Sequence, residues 1–237
     1  MALTTDPQIL TEAPAMAPVD LYLNIHKGIR ADLFAVTGRA GSLDPADTVG
    51  RAQLAEAVRT SVDLLVSHAE HEDTVIQPVL DVERPDLAEL IAADHAGLEP
   101  RMDGLVALAG TVAEVGVQGD AARGWLHALY LDLALFTGDY LRHQETEERV
   151  VMPALEAAIG PDAVQALEGT IIASIPPDEM AASLAVMLPA MNLDDRAGLL
   201  GGMRQGAPAE VFAGVWALAG SVLAADDHDA LARRLGL

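Results

Sequence analysis

Apolar residues recur at three- and four-residue spacing along almost the whole chain, in segments rich in Ala, Leu, Val and Glu. Strict alternation over strand lengths is hard to find, so the pattern predicts helices. A first helix begins near Asp20 and ends in Gly38-Arg39-Ala40-Gly41-Ser42-Leu43-Asp44-Pro45. A second runs from about Thr48 to Asp81. Arg84-Pro85-Asp86 opens a third, with Pro85 suited to the first turn and Pro100 expected to kink the helix further on. Gly116 to Asp120 separates it from a fourth, from about Ala121 to Leu155. Short connections between long helices imply antiparallel neighbours. The predicted fold class is therefore all-α: an antiparallel up-down four-helix bundle over residues 20–158. Helix-start signals then recur at Pro161-Asp162, Pro176-Pro177-Asp178-Glu179, Asn192-Leu193-Asp194-Asp195 and Pro208-Ala209-Glu210. They predict a C-terminal extension of short helices over 159–237, while residues 1–19 read as a loose leader.

Composition narrows the chemistry. The 237 residues include no cysteine, which removes disulfides, thiolate zinc sites, iron–sulfur clusters and cysteine nucleophiles. A metal would have to be held by imidazole nitrogen and carboxylate oxygen. The formal charge of −22 argues against nucleic acid and anionic membranes as partners. No apolar run approaches the roughly 20 residues that span a bilayer. Met1 to Asp20 carries neither a basic patch nor an apolar core of a secretory signal, so a cytoplasmic location is expected.

One internal repeat changes the picture. His68-Ala-Glu-His-Glu72-Asp-Thr-Val75-Ile-Gln-Pro78-Val-Leu80 falls in the second helix, and His143-Gln-Glu-Thr-Glu147-Glu-Arg-Val150-Val-Met-Pro153-Ala-Leu155 in the fourth. The shared core is H-x-x-x-E-[D/E]-x-V-[I/V]-x-P-x-L. Residues four apart lie one turn apart on nearly the same side of a helix, so each His–Glu pair can reach one point beside it. Val75 and Val150, seven past each His, are expected on that same apolar, inward face. The first and third helices each add one histidine, His26 and His95, both followed two residues on by glycine. Four buried imidazoles and two buried carboxylates are costly without partners. Metal ions satisfy both, and carboxylates between two ions can bridge them. Six protein ligands on two octahedral ions leave positions open, which favours iron, then manganese, over zinc.

The order H…HxxxE…H…HxxxE on four successive helices resembles the hemerythrin-like family of cation-binding (HHE) domains over roughly residues 20–158. Carried over by position, the resemblance implies two non-haem iron ions. They would be ligated by His26, His68, Glu72, His95, His143 and Glu147, with Glu72 and Glu147 bridging. The oxygen-carrying members place a further histidine one turn beyond the third-helix ligand, where this chain has Glu99. The pattern is thus closer to the broader HHE group than to the oxygen carriers. Ferritin-like bundles use Glu-x-x-His pairs with extra glutamates, which are absent here.

Other residues compete for roles. His71, beside Glu72, reads as a flank or supporting residue that could replace His68 or shape the pocket. Tyr140 and Phe136 precede His143 on nearly the same face; core packing is the simpler reading, with a Tyr140 hydrogen bond to a bound ligand the functional one. Glu99 and Arg30, one turn beyond a ligand histidine each, could orient an imidazole or close the pocket. Tyr140, His71 and Glu99 are the candidate catalytic groups. His127 is expected on a helix surface, His228 exposed, and Met180, Met187 and Met191 in a core stripe.

The function expected is a diiron protein that binds or senses O2, peroxide or nitric oxide. The alternative is a diiron enzyme that decomposes peroxide or oxygenates a small substrate admitted beside the extension; whether the protein is an enzyme stays open. So few ligands suit iron storage poorly. Packing, homodimerisation or pocket closure are the roles open to the extension.

Overall fold

In a computed structural model of the chain, residues 19–237 are described, and every regular element among them is helical. The predicted leader lies outside the described residues except for its last residue. Six helices make the first part: α1 (Leu23–Ser42), α2 (Thr48–His71), α3 (Gln77–Glu83), α4 (Pro85–Ala113), α5 (Gly119–Thr146) and α6 (Met152–Ile159). Five shorter ones follow: α7 (Pro161–Ser174), α8 (Pro177–Ala190), α9 (Leu193–Gly206), α10 (Ala209–Val222) and α11 (Ala225–Leu235). No single helix among the described residues is long and apolar enough to cross a membrane.

The four long helices close a ring: α1 packs on α2 and α5, and α4 packs on the same two. Ile29, Leu54, Leu65, Leu105, Leu129 and Phe136 fill its interior. A second cluster, with Ile76, Leu80, Ile91, Val151 and Leu155, closes one end together with Tyr22 and with Val164 from α7. A third, built on Leu184, Leu188, Leu200 and Leu231, holds α8–α11 together. The extension reaches the bundle where α8 lies along α1. At Gly28 a Cβ atom would stand 3.2 Å from the Met187 backbone, so glycine is what lets the two helices approach. Gly97, its counterpart after His95, has nothing within 4 Å.

Between α2 and α3, and again between α5 and α6, the rod does not stop but widens into a π-helical turn, Glu72–Ile76 and Glu147–Val151. The Gln77 and Met152 amides donate to the carbonyls of Glu72 and Glu147, five residues back. The next residue in each rod is proline, Pro78 or Pro153. Proline has no amide hydrogen, and its ring clashes with the carbonyl four residues earlier in a regular helix. Widening the preceding turn relieves that clash without breaking the rod.

The wide turn also resets which residues face inward. In a regular helix each four-residue step drifts about 40° around the axis. The π turn takes that drift back, so His68, Glu72, Ile76 and Leu80 form one inward row, as do His143, Glu147, Val151 and Leu155. The expectation for Val150 is therefore corrected: it is 46% exposed and Val151 is fully buried in its place. Val75 stays at the edge of the core, with Ile76 beside it deeper inside. Pro100 lies at an exposed position, and α4 runs through it as one helix.

Two arginines that the sequence pattern did not single out act as helix caps. Arg51 is fully buried and donates to the carbonyls of Val112 (2.7 Å) and Val117 (2.9 Å), tying off the C-terminus of α4. Arg196 does the same for α8, donating to the carbonyls of Leu188 (2.7 Å) and Pro189 (3.2 Å). Both place positive charge at the negative end of a helix and satisfy carbonyls the helix leaves open. Arg51→Met keeps the apolar stem and removes the donors. It is expected to cost about 3 kcal/mol by stranding buried carbonyls, read from urea unfolding against the parent chain.

Candidate metal centre

The six residues singled out by the repeat and by the histidines of the other helices converge in the interior of the ring. His26 (α1) and His68 (α2) bring their Nε2 atoms to 3.1 Å. His95 (α4) and His143 (α5) stack edge-on with ring centres 4.9 Å apart. Glu72 and Glu147, the first residues of the two π turns, lie between these pairs. Each glutamate divides its oxygens. Glu72 places Oε1 3.1 Å from His68 Nε2 and Oε2 3.4 Å from His95 Nε2. Glu147 places Oε1 3.3 Å from His143 Nε2 and Oε2 3.4 Å from His26 Nε2. Two four-residue clusters result, His26/His68/Glu72/Glu147 and Glu72/His95/His143/Glu147, each with its ligand atoms within 4.8 Å of one another. The two glutamates are common to both.

These atoms have no other work. Both oxygens of Glu72, both of Glu147 and Nε2 of His95 are buried without a hydrogen-bond partner, an unusual expense for carboxyl groups in a protein interior. Their electrostatics follow. Burial raises Glu72 to about 8, and burial together with the neighbouring Glu72 raises Glu147 well above its ordinary value. Burial lowers His68 well below the usual histidine range, and lowers His143 to about 3, in both cases helped by neighbouring imidazoles. Burial lowers His26 as well, against a hydrogen bond to Glu148 that pulls the other way. These three imidazoles are held neutral and offer lone pairs. The donor set, imidazole nitrogen with shared carboxylates and no thiolate, suits two hard-to-borderline divalent cations.

A second layer of acids holds the imidazoles. The residue after each central glutamate reaches across to the histidine of a neighbouring helix. His26 donates from Nδ1 to Glu148 (2.9 Å), and His95 donates from Nδ1 to Asp73 (2.8 Å). An imidazole that donates from Nδ1 presents its Nε2 lone pair inward, so these acids set the tautomer the site needs. The [D/E] position of the repeat thus has a function that spacing alone did not reveal.

The two halves differ in how firmly that layer is held. Arg30 grips both oxygens of Glu148 at 2.7 and 2.9 Å. Burial alone would raise the Glu148 carboxyl, but the hydrogen bonds from His26 and Arg30 outweigh it and bring Glu148 down to about 2. Asp73 is 53% exposed and has no such clamp. The position matching Arg30 is Glu99, which is exposed on α4. The expectation that Glu99 orients an imidazole or serves as a catalytic group is therefore corrected, whereas Arg30 does act on a site histidine, through Glu148.

The remaining candidates sort by place. Tyr140 is buried with its ring 5.6 Å from that of His143 and 5.7 Å from Phe136. Tyr22, which sequence reasoning passed over, is its counterpart: its ring lies 5.1 Å from His26. Its signal was available, since it stands one turn before His26. Burial, then the two central glutamates, raise both phenols well above the usual tyrosine range, so both keep their hydrogens. His71 turns away from the centre to Glu179 (2.6 Å) on α8 and Ser174 (3.2 Å) on α7. His127 is exposed as expected. His228 is half-buried against the Trp216 ring at 4.3 Å, not exposed, because α11 folds back on α10.

The model of the hemerythrin HHE cation binding domain matches residues 17–155. The chain belongs to that family. No curated protein and no solved structure proved similar to it. The family match covers both π turns and all six converging residues, and it ends before α7, so the extension lies outside what defines an HHE domain. Cation binding by this domain accounts for the buried, unpartnered glutamates.

A metal-free form of this HHE domain is expected to lose stability as pH rises. Glu72, at about 8 when folded against an ordinary 4.5, keeps its proton in the fold after the unfolded chain has released it. The loss runs from about pH 6.5 through about 8. Below that range His26, His68 and His143, held neutral in the fold, work the opposite way, because the unfolded chain binds protons on them. A bound cation should remove the loss by pairing the carboxylates. Thermal midpoints of chelator-treated and metal-loaded protein across that window test this; a metal-free midpoint that rises with pH would refute it.

Proposed function

We propose that this HHE domain holds two iron ions and binds or senses O2, peroxide or nitric oxide. One ion would be held by His26 and His68, the other by His95 and His143, with Glu72 and Glu147 bridging. The observation that carries this reading is the division of each glutamate's oxygens between the two imidazole pairs. A pair of iron ions in such a site supplies reversible electron exchange with small oxygen or nitrogen ligands. Manganese is the next best fit and zinc the least, because six shared protein ligands exceed what two tetrahedral ions use.

The chain's own residues would do the rest. Neutral imidazoles keep the site less anionic than a carboxylate-rich one and so favour the reduced state. Tyr22 and Tyr140, each beside one imidazole, keep O–H groups near the glutamates as hydrogen-bond donors. Phe136 and Leu133 belong to the dry core next to them. A second reading, an enzyme acting on a small organic molecule, is favoured by one observation: a cavity whose wall includes His68 and Glu72 and is otherwise largely apolar.

Metal analysis of purified protein is expected to find two irons per chain, with near-ultraviolet absorption of bridged ferric iron appearing on exposure to O2 or peroxide. Sub-stoichiometric iron, or no preference for iron over zinc, would refute the reading. Catalytic loss of peroxide would favour the enzyme. The unequal support of the two subsites gives a sharper test. Glu148→Gln is expected to weaken metal affinity by roughly 10-fold or more, and Asp73→Asn, at an exposed and screened position, by clearly less. Competition with a chelator measures both, and equal losses would contradict the asymmetry.

A further inference from the structure

Between the bundle and the extension lies a cavity of about 180 Å³, walled by α1 and α2 on one side and by α7, α8 and α9 on the other. That is more than ten times the roughly 10–15 Å³ that a single water needs, so it has room for an organic molecule. Most of its wall is apolar, with Ile171, Ile172, Ile175, Met180, Met187 and Met203 contributed by the extension. Isoleucine gives this wall a fixed shape, while the flexible methionines let it adapt to an occupant.

The charged part of the wall is acidic, with Asn24, Ser67, His68, His71 and Ser183 as its other polar groups. Asp20, Glu72, Glu168 and Glu179 line it, and no lysine or arginine does. Three of these acids are already committed. Asp20 accepts the amides of Tyr22 and Leu23, Glu179 accepts from Ser67 and His71, and Glu72 belongs to the metal centre. Glu168 is half-buried on α7 and makes no hydrogen bond or ion pair among the described residues. Burial alone moves its carboxyl, upward, as for an acid without a cationic neighbour. A second acceptor, Oδ1 of Asn24, is buried in the wall without a partner.

We propose that this cavity is a binding site for a small cationic amphiphile, an alkyl or aryl amine, with its apolar body among the isoleucines and methionines and its ammonium group on Glu168. An anionic amphiphile such as a fatty acid would meet the unpaired Glu168 carboxyl and no lysine or arginine there, and is disfavoured by charge. His68 and Glu72 form part of the same wall, so an occupant borders the metal centre. The extension thereby acquires a role that the family match does not cover: it supplies most of the apolar wall. This site does not rest on the iron reading, and amine binding is expected whatever the metal content.

Isothermal titration of the full chain with n-octylamine, octan-1-ol and octanoate tests it, with metal content measured on the same sample. Octylamine is expected to bind about fivefold more tightly than octanol, the scale of a partly exposed ion pair, and octanoate not to bind. Glu168→Gln should bring octylamine down to the octanol value and leave octanol unchanged. Ile172→Trp on α7 and Ser183→Leu on α8, two independent ways of filling the cavity, should abolish both; circular dichroism checks that each variant folds. No octylamine binding, octanoate binding as tightly as octylamine, an unaffected Glu168→Gln variant, or undiminished binding in a folded cavity-filled variant each overturns the proposal.

Discussion

Two carboxyl groups and four imidazoles packed into the middle of a helical ring set the terms for the rest of this molecule. Buried without hydrogen-bond partners, Glu72 and Glu147 are a liability to the fold. The apolar packing above and below them, from Leu65 and Phe136 on one side to Ile76 and Val151 on the other, has to hold them in place against that cost. A domain that carries such a cost at its centre is built around the cations that remove it. This is why its stability, protonation and ligand chemistry are tied to one another.

The local device that makes the centre possible is the pair of π turns. Each begins at a central glutamate and ends shortly before a proline, so the same local sequence that supplies the buried carboxyl group also supplies the strain that widens the helix. The widened turn keeps four residues at successive four-residue steps pointing inward, where a regular helix would have carried the later ones toward solvent. It also turns the residue after the glutamate sideways, to the histidine of the adjacent helix. Asp73 and Glu148 each reach across a helix boundary for that reason, which ties the two hairpins together through their imidazoles.

The duplication is not symmetric in its consequences. Arg30 and Glu99 occupy equivalent positions, yet one clamps an acid against His26 while the other faces water. The extension adds to the difference, because it packs on α1 and α2 and not on the opposite hairpin's histidines. His71 joins Glu179 and Ser174 at that contact, so the residue next to a central glutamate is fastened to the extension. One half of the centre is thus braced and bordered by a cavity, and the other half is closer to solvent.

Much of this was legible in the chain itself. Helical periodicity, proline and glycine punctuation, and the doubled H-x-x-x-E located the helices and brought forward the six residues that converge, because ligand spacing and helix pitch are both local properties. What neighbouring helices contribute was not legible. Val150 looked inward by regular pitch, Glu99 looked useful by position, and His228 looked exposed by its acidic neighbours. The first failed because a π turn changes pitch, and the other two because only packing decides which way a helix face points. The capping roles of Arg51 and Arg196, the pairing of Tyr22 with His26 and the cavity under the extension likewise depend on segments far apart in the chain. Local sequence determines where a helix starts, stops and widens; only the assembled helices determine what each side chain meets.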